Sequence, residues 1–154
     1  MKKTITKLAL VILGLVVLTP AMAQTVNMNR WVELTVTQGN YINLGFIGDN
    51  ENTSIRITSG SYDTTFSIGQ YYTGLDPYFS QSSTMRIYGD IKTFECFNNG
   101  NKIIGLNASN NIELIELFCF NNSITNLNIS GLTLLTKLNC SNNSIANLNI
   151  SELS

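Results

Sequence analysis

The residues best equipped for chemistry are three cysteines, Cys96, Cys119 and Cys140. A thiol can act as a nucleophile, join a disulfide or bind zinc. Nucleophilic use calls for a base, and the commonest one, histidine, is absent from the chain. Zinc sites draw on CxxC pairs or histidines, and the sequence has neither. Three thiols are an odd number, so a single chain leaves at least one unpaired. The reading preferred here is that of small apolar side chains in a core.

Other groups offer less. Asp49, Asn50, Glu51 and Asn52 present oxygens to a cation. Four consecutive residues do not match the twelve-residue spread of an EF-hand loop, so the stretch reads as a solvated turn. Tyr71, Tyr72, Tyr78 and Phe79 gather in a segment with Gly74, Pro77 and several serines. Such rings stack on a sugar or a protein, or they fill a join between modules. The second reading is preferred, because a small module needs apolar area. No two carboxylates stand in a recognisable acid–base arrangement. Lys+Arg 9 against Asp+Glu 10 gives a formal net charge of −1, without the basic excess of a nucleic-acid binder. Hydrophobic residues make up 44% of the chain, which argues against disorder. The expectation is a folded protein without enzymatic activity, cofactor, metal or nucleic-acid partner.

The cysteines belong to a repeat. Residues 112–132, IELIELFCFNNSITNLNISGL, align without a gap on residues 133–153, TLLTKLNCSNNSIANLNISEL. Residues 91–111, IKTFECFNNGNKIIGLNASNN, give a looser third copy. The shared pattern is L-x-x-L-x-C-x-x-N-x-I-x-x-L, which runs in the last unit through Leu135, Leu138, Cys140, Asn143, Ile145 and Leu148. This pattern resembles the leucine-rich repeat. The short unit and the N-N-S-I turn are most similar to internalin-type repeats of exported bacterial proteins. The resemblance covers residues 91–154. It implies a solenoid of about three coils and protein binding or adhesion, with no catalytic motif.

Each slot has a physical reading. A short strand at L-x-C sends Leu138 and Cys140 to one side, because side chains alternate along a strand. In-register cysteines on adjacent parallel strands sit about one strand spacing apart, ~4.8 Å, wider than the ~3.8 Å between the Cβ atoms of a disulfide. Asn99, Asn122 and Asn143 fall at the turn after the strand. Inward amides there bond backbone groups that the turn leaves unpaired, and stacked together they form a ladder. The outward columns are Thr93, Glu116 and Lys137; Glu95, Phe118 and Asn139; Phe97, Phe120 and Ser141. Phe97, Phe118 and Phe120, with Glu95, Glu116, Lys137 and Asn139, form the candidate partner-binding face. The competing expectation is that the long N-terminal loop folds over these rings.

The first 90 residues divide in two. In residues 1–23, Lys2, Lys3 and Lys7 precede an apolar run from Leu8 to Leu18, then Pro20 and Ala21-Met22-Ala23. That is the layout of a secretory signal peptide, and the run is shorter than the about 20 residues of a membrane span. The mature chain is expected to start at Gln24, without membrane insertion, secreted or at the cell surface, with the periplasm as an alternative. Residues 24–90 lack the repeat and alternate instead. Val32, Leu34 and Val36, then Ile42, Leu44 and Phe46, read as a hairpin around Gln38-Gly39-Asn40. Ile55 and Ile57, then Tyr62, Thr64, Phe66 and Ile68, flank Ser59-Gly60-Ser61. Met85 and Ile87 mark a last strand before Gly89-Asp90. This module reads as a β-rich cap for the solenoid.

The fold class is therefore mainly β, a short solenoid behind a β-rich cap. The function expected is recognition of a protein outside the cell, with a glycan as second choice. The alternative is a structural spacer, or a fragment of a longer surface protein with no binding of its own. The last unit carries no polar cap, so end-to-end self-association is a further expectation.

Overall fold

The computed structural model describes residues 24–72 and 74–151; the leader reading of residues 1–23 lies outside them. The described residues contain eleven strands and no helix. They are β1 (Trp31–Val36), β2 (Tyr41–Gly48), β3 (Thr53–Ser59), β4 (Tyr62–Ile68), β5 (Asp76–Phe79), β6 (Thr84–Tyr88), β7 (Ile91–Glu95), β8 (Ile103–Asn107), β9 (Glu116–Phe118), β10 (Asn126–Asn128) and β11 (Lys137–Asn139). Six form one sheet in the order β10-β8-β1-β6-β3-β4, and five form another in the order β11-β9-β7-β2-β5. The protein is thus mainly β.

The chain alternates between the sheets at every connection except β3–β4, the hairpin closed by Ser59-Gly60-Ser61. This corrects the reading of β1 and β2 as a hairpin. β1 pairs with β6 and β8, and β2 pairs with β5 and β7, in opposite sheets. The reason lies in burial. Val32, Leu34, Val36, Ile42, Leu44 and Phe46 are all core residues, and they belong to the two opposed layers. Alternation specifies which face is buried but not which strand is the neighbour. The Gln38-Gly39-Asn40 corner is pinned by Ser80, a fully buried polar residue. Its Oγ donates to the carbonyls of Thr37 at 3.0 Å and Asn40 at 2.9 Å, and its own carbonyl accepts from Gly39 N at 2.7 Å.

One hydrophobic cluster runs from Val32 to Leu135 and takes in both residues 24–90 and the segments after them. Phe46 is its aromatic hub, with Phe94, Tyr78 and Phe66 at centroid distances of 5.7, 5.9 and 6.4 Å. The crossing at Gly89 admits no side chain. Its φ is 135°, and a Cβ there would meet Ser54 O at 2.8 Å and Ile55 Cγ2 at 2.9 Å. An ion cluster spans the same join. Arg30 pairs with Asp90 at 2.9 Å, and Lys92 with Glu113 at 2.9 Å.

From β7 onward the pairing changes character. β7 and β8 run antiparallel to β2 and β1, but β7-β9-β11 and β8-β10 are parallel ladders. The registers are Thr93↔Glu116↔Lys137 and Glu95↔Phe118↔Asn139. Residues 23 and then 21 positions apart therefore lie side by side; 21 is the period of the gap-free segments, and the 23-residue step belongs to the looser first copy. The sequence reading placed one strand in each segment. The first two of these segments contribute two, the second being β8 and β10, where Asn126 and Asn128 flank inward Leu127.

Candidate interaction face

All seven residues of the candidate face meet on the outer side of the five-stranded sheet. The β7-β9-β11 ladder sets Glu95 beside Phe118 and Phe118 beside Asn139, with Glu116 and Lys137 in the next row. Backbone bonds carry the register past the strand ends: Asn98 N donates to Phe120 O at 3.1 Å, and Asn121 N to Ser141 O at 3.0 Å. Phe97 and Phe120 are consequently neighbours, stacked with centroids 4.6 Å apart and planes 6° off parallel. Such a pair adds about 0.5–1.5 kcal/mol beyond its area. Phe97, Phe118 and Phe120 are each half-buried.

The N-terminal loop covers one side of this face. Opposite Glu95 stands Gly45, where a Cβ would meet Leu75 Cδ2 at 3.0 Å, Gly74 O at 3.1 Å and Tyr72 Cε2 at 3.3 Å. The loop chain thus lies against the bare Gly45 backbone. Its Tyr72 phenol stands close enough to Glu95 for the two groups to influence each other's titration. Tyr71 stays exposed at 75%, whereas Tyr78 is buried in the core, stacked on Phe66 at 5.7 Å. Of the four clustered aromatics, Tyr78 packs in the core as preferred from the sequence, Phe79 lies against Tyr41 at 5.4 Å, and Tyr72 lies over Gly45.

Glu95 is the electrostatic centre of the face. Its Oε2 is shut from water and has no hydrogen-bond partner among the described residues. Burial pushes its carboxyl above the ordinary value of 4.5; the Tyr72 phenol opposes that rise, and the neighbouring Glu116 charge adds to it. Burial, followed by Glu95 itself, likewise raises the Tyr72 phenol. Glu116 is differently placed, accepting from Lys137 Nζ and, at 3.4 Å, from Thr93 Oγ1.

Beneath the face lie the thiols and the asparagine amides. Cys96 and Cys119 are fully buried, Cys140 is half-buried, and all three are free. Burial pushes the Cys96 thiol well above its ordinary value and that of Cys119 up to about 12, which removes the thiolate that nucleophilic chemistry needs. Asn99, Asn122 and Asn143 stack in the adjoining turns. Asn99 Nδ2 donates to Cys96 O at 2.9 Å and to Asn43 O at 3.0 Å, while Asn43 N returns a bond to its Oδ1 at 2.8 Å. The ladder therefore begins at β2, ahead of the aligned segments. Asn143 repeats the arrangement, donating to Cys119 O at 2.8 Å and Cys140 O at 3.0 Å.

A second asparagine row escaped the sequence reading. Asn98, Asn121 and Asn142 have φ of 58°, 56° and 53°. Asn121 Nδ2 donates to Asn98 Oδ1 at 2.7 Å, and Asn142 Nδ2 to Asn121 Oδ1 at 2.6 Å. The signal was the doubled Asn-Asn in each segment, since asparagine is among the few side chains that enter the left-handed region readily. The stretch Asp49 to Asn52, read from the sequence as a turn, is one: Asn50 Oδ1 accepts from Asn52 N at 2.8 Å, and Thr53 Oγ1 from Asn50 N at 2.9 Å. What the face offers chemically is aromatic area beside one poorly solvated carboxylate. No protein-family profile, curated protein or solved structure matches the chain.

Proposed function

We propose that this protein is an exported, non-enzymatic recognition module of the leucine-rich repeat type, whose partner is a protein met outside the cell or at its surface. The aligned 21-residue segments, their parallel registers and the stacked turn asparagines support the repeat assignment. The observation that carries the binding assignment is the half-buried group Phe97, Phe118 and Phe120 on the outer side of the five-stranded sheet, next to Glu95. Aromatic residues are enriched at interface centres and supply most of the energy of hot spots. Glu116, Lys137 and Asn139 provide the polar rim around them.

The test uses residues 24–154 immobilised and exposed to extracellular and surface proteins of the source cell. A partner retained by wild type is expected to be released when Phe118 and Phe120 are both replaced by Ala. The change should weaken binding by about 2 kcal/mol or more, the size of a hot-spot loss. Asn126→Ala, on the opposite sheet, should leave it intact. A melting curve accompanies each variant. Retention by the double variant with an unchanged melt would remove the face from the interface, and failure of wild type to retain any protein would favour a spacer.

A further inference from the structure

The outer side of the six-stranded sheet carries a trough of about 410 Å³ that the aromatic face does not involve. That volume lies within the ~300–1,000 Å³ of small-ligand clefts. Three strands line it: β1 with Glu33 and Thr35, β8 with Gly105 and Asn107, and β10 with Asn126 and Asn128. The register explains the depression. Thr35, Gly105 and Asn126 form one row across the sheet, and Glu33, Asn107 and Asn128 the next. Gly105 leaves the middle of the first row empty, and a Cβ there would come within 2.9 Å of Thr35 Oγ1.

The lining is polar, fixed and nearly neutral. Asn107 Oδ1 accepts from Ser109 N at 3.1 Å and Ser109 Oγ at 2.8 Å, and Asn128 Oδ1 accepts from Ser130 at the same two distances. Anchored by its oxygen, the Asn107 amide leaves its NH₂ group as an oriented donor, and the Asn128 NH₂, which donates to Ser109 Oγ at 3.5 Å, keeps a second hydrogen. Glu33 gives one oxygen to Arg86 and keeps the other as an acceptor, its charge matched by the guanidinium. The Asn126 amide and the Thr35 hydroxyl, both lining the trough, have no hydrogen-bond partner among the described residues. Donors and acceptors thus stand in two rows, with about 4.8 Å between strands within a row and about 6.6 Å between the rows along the strands.

This chemistry selects its ligand. An anion would find no cation lining the trough, a cation would meet a carboxylate already compensated, and an apolar molecule would strand the amides. A hydroxyl both donates and accepts, so a ligand rich in hydroxyls satisfies every group. We propose that this trough is a second binding site, taking a neutral glycan chain laid across β1, β8 and β10. Asn149, held by Ser151 N at 3.0 Å and Ser151 Oγ at 2.8 Å, repeats the Asn128 arrangement 21 residues on and would extend the row of donors. The site is independent of the protein partner proposed for the opposite face.

The chain's single tryptophan supplies the readout. Trp31 precedes Glu33 by two residues on β1, so it lies on the same outer side, with the Arg86 guanidinium 5.0 Å from its ring centroid. The mature chain is titrated with cellohexaose, laminarihexaose, mannohexaose and chitohexaose, and with an oligogalacturonate of equal length as the charged control. Trp31 fluorescence and the side-chain amide NMR signals of Asn107, Asn126 and Asn128 are followed. At least one neutral hexasaccharide is expected to saturate with Kd below about 1 mM. Asn107→Ala with Asn126→Ala should weaken it about tenfold or more, as should Asn126→Ala alone to a lesser degree. Phe118→Ala with Phe120→Ala should leave it unchanged. Absence of saturation with every neutral probe, equal binding of the oligogalacturonate, or indifference to both Asn variants would overturn the proposal.

Discussion

Asn122 Nδ2 donates to Cys96 O, 26 residues earlier, at 2.8 Å, and so binds its own turn to the strand before it. The same nitrogen donates to Cys119 O at 2.9 Å, and Oδ1 accepts from Asn99 N at 3.0 Å. One amide therefore satisfies backbone groups in two successive segments, at a site where water does not reach.

Replacing Asn122 with Ala should leave those groups unpaired in the interior. Each unsatisfied buried group costs about 1–3 kcal/mol, so a loss of roughly 2–4 kcal/mol is expected after partial relaxation. Asn143 makes equivalent bonds but is half-exposed, so water can replace its amide. Asn143→Ala should cost about half as much or less. Urea denaturation of both variants measures the difference. Equal losses would mean that the ladder acts through turn conformation rather than through buried bonds.

The thiols should react in an order set by burial. Cys140 is half-buried, while Cys96 and Cys119 are closed off and their thiols are pushed upward, the second to about 12. Native protein at about pH 8 is expected to show one readily modified thiol and two slow ones, and denatured, unreduced protein to show three. Peptide mapping after a timed pulse of iodoacetamide identifies the sites. An intact mass two hydrogens below that of the reduced chain would reveal a disulfide and contradict this expectation.

Burial was legible in the sequence because periodicity reports it. Leu117, Cys119, Ile42 and Leu44 sit in the core as alternation and repeat spacing require. The outward columns came out in register because a repeat fixes which residues are neighbours: Glu95 lies beside Phe118, and Glu116 beside Lys137. Pairing partners within residues 24–90 were not legible. A short Gln-Gly-Asn link permits either a hairpin or a crossing to the opposite sheet, and Ser80, 40 residues away from Asn40, decides for the crossing. The contact of Tyr72 with Glu95 was equally hidden, since it depends on the absent side chain of Gly45.

Glu95 should give the protein a pH dependence opposite to that of its paired carboxylates. Its carboxyl titrates above the ordinary 4.5, so the folded state keeps a proton that the unfolded chain has released. The stability that this proton contributes is full below 4.5 and is lost as pH rises through the folded value. Glu95→Gln resembles the neutral form. It is expected to melt higher than wild type at about pH 7, with the gain shrinking as the pH approaches about 4. Melting curves of both proteins across this range test it. A difference that stays flat with pH would assign the effect to packing rather than to ionisation.

The last ladder among the described residues should open first. Cys119 N donates to Asn139 O at 2.9 Å, and Asn121 N to Ser141 O at 3.0 Å. The corresponding amides one segment later, Cys140 and Asn142, find no acceptor among the described residues. Beneath them Leu138, Cys140, Ile145 and Leu148 are half-buried, whereas Leu117, Cys119 and Ile124 are closed off. In a stacked array each unit is stabilised by its neighbours, so a unit covered on one side has the lowest opening energy. Hydrogen exchange in dilute protein is expected to be much faster at Cys140 and Asn142 than at Cys119 and Asn121. The opposite ends of these sheets are β4 and β5, which pair antiparallel with β3 and β2 and so differ in kind from the β11 edge. A second copy that sets its own β11 against this one makes a two-fold contact that closes at a dimer. If it forms, the Cys140 and Asn142 amides gain protection as concentration rises, and the mass in solution doubles without going further. Equal protection of both pairs of amides at every concentration would show that the β11 edge is covered from within the chain.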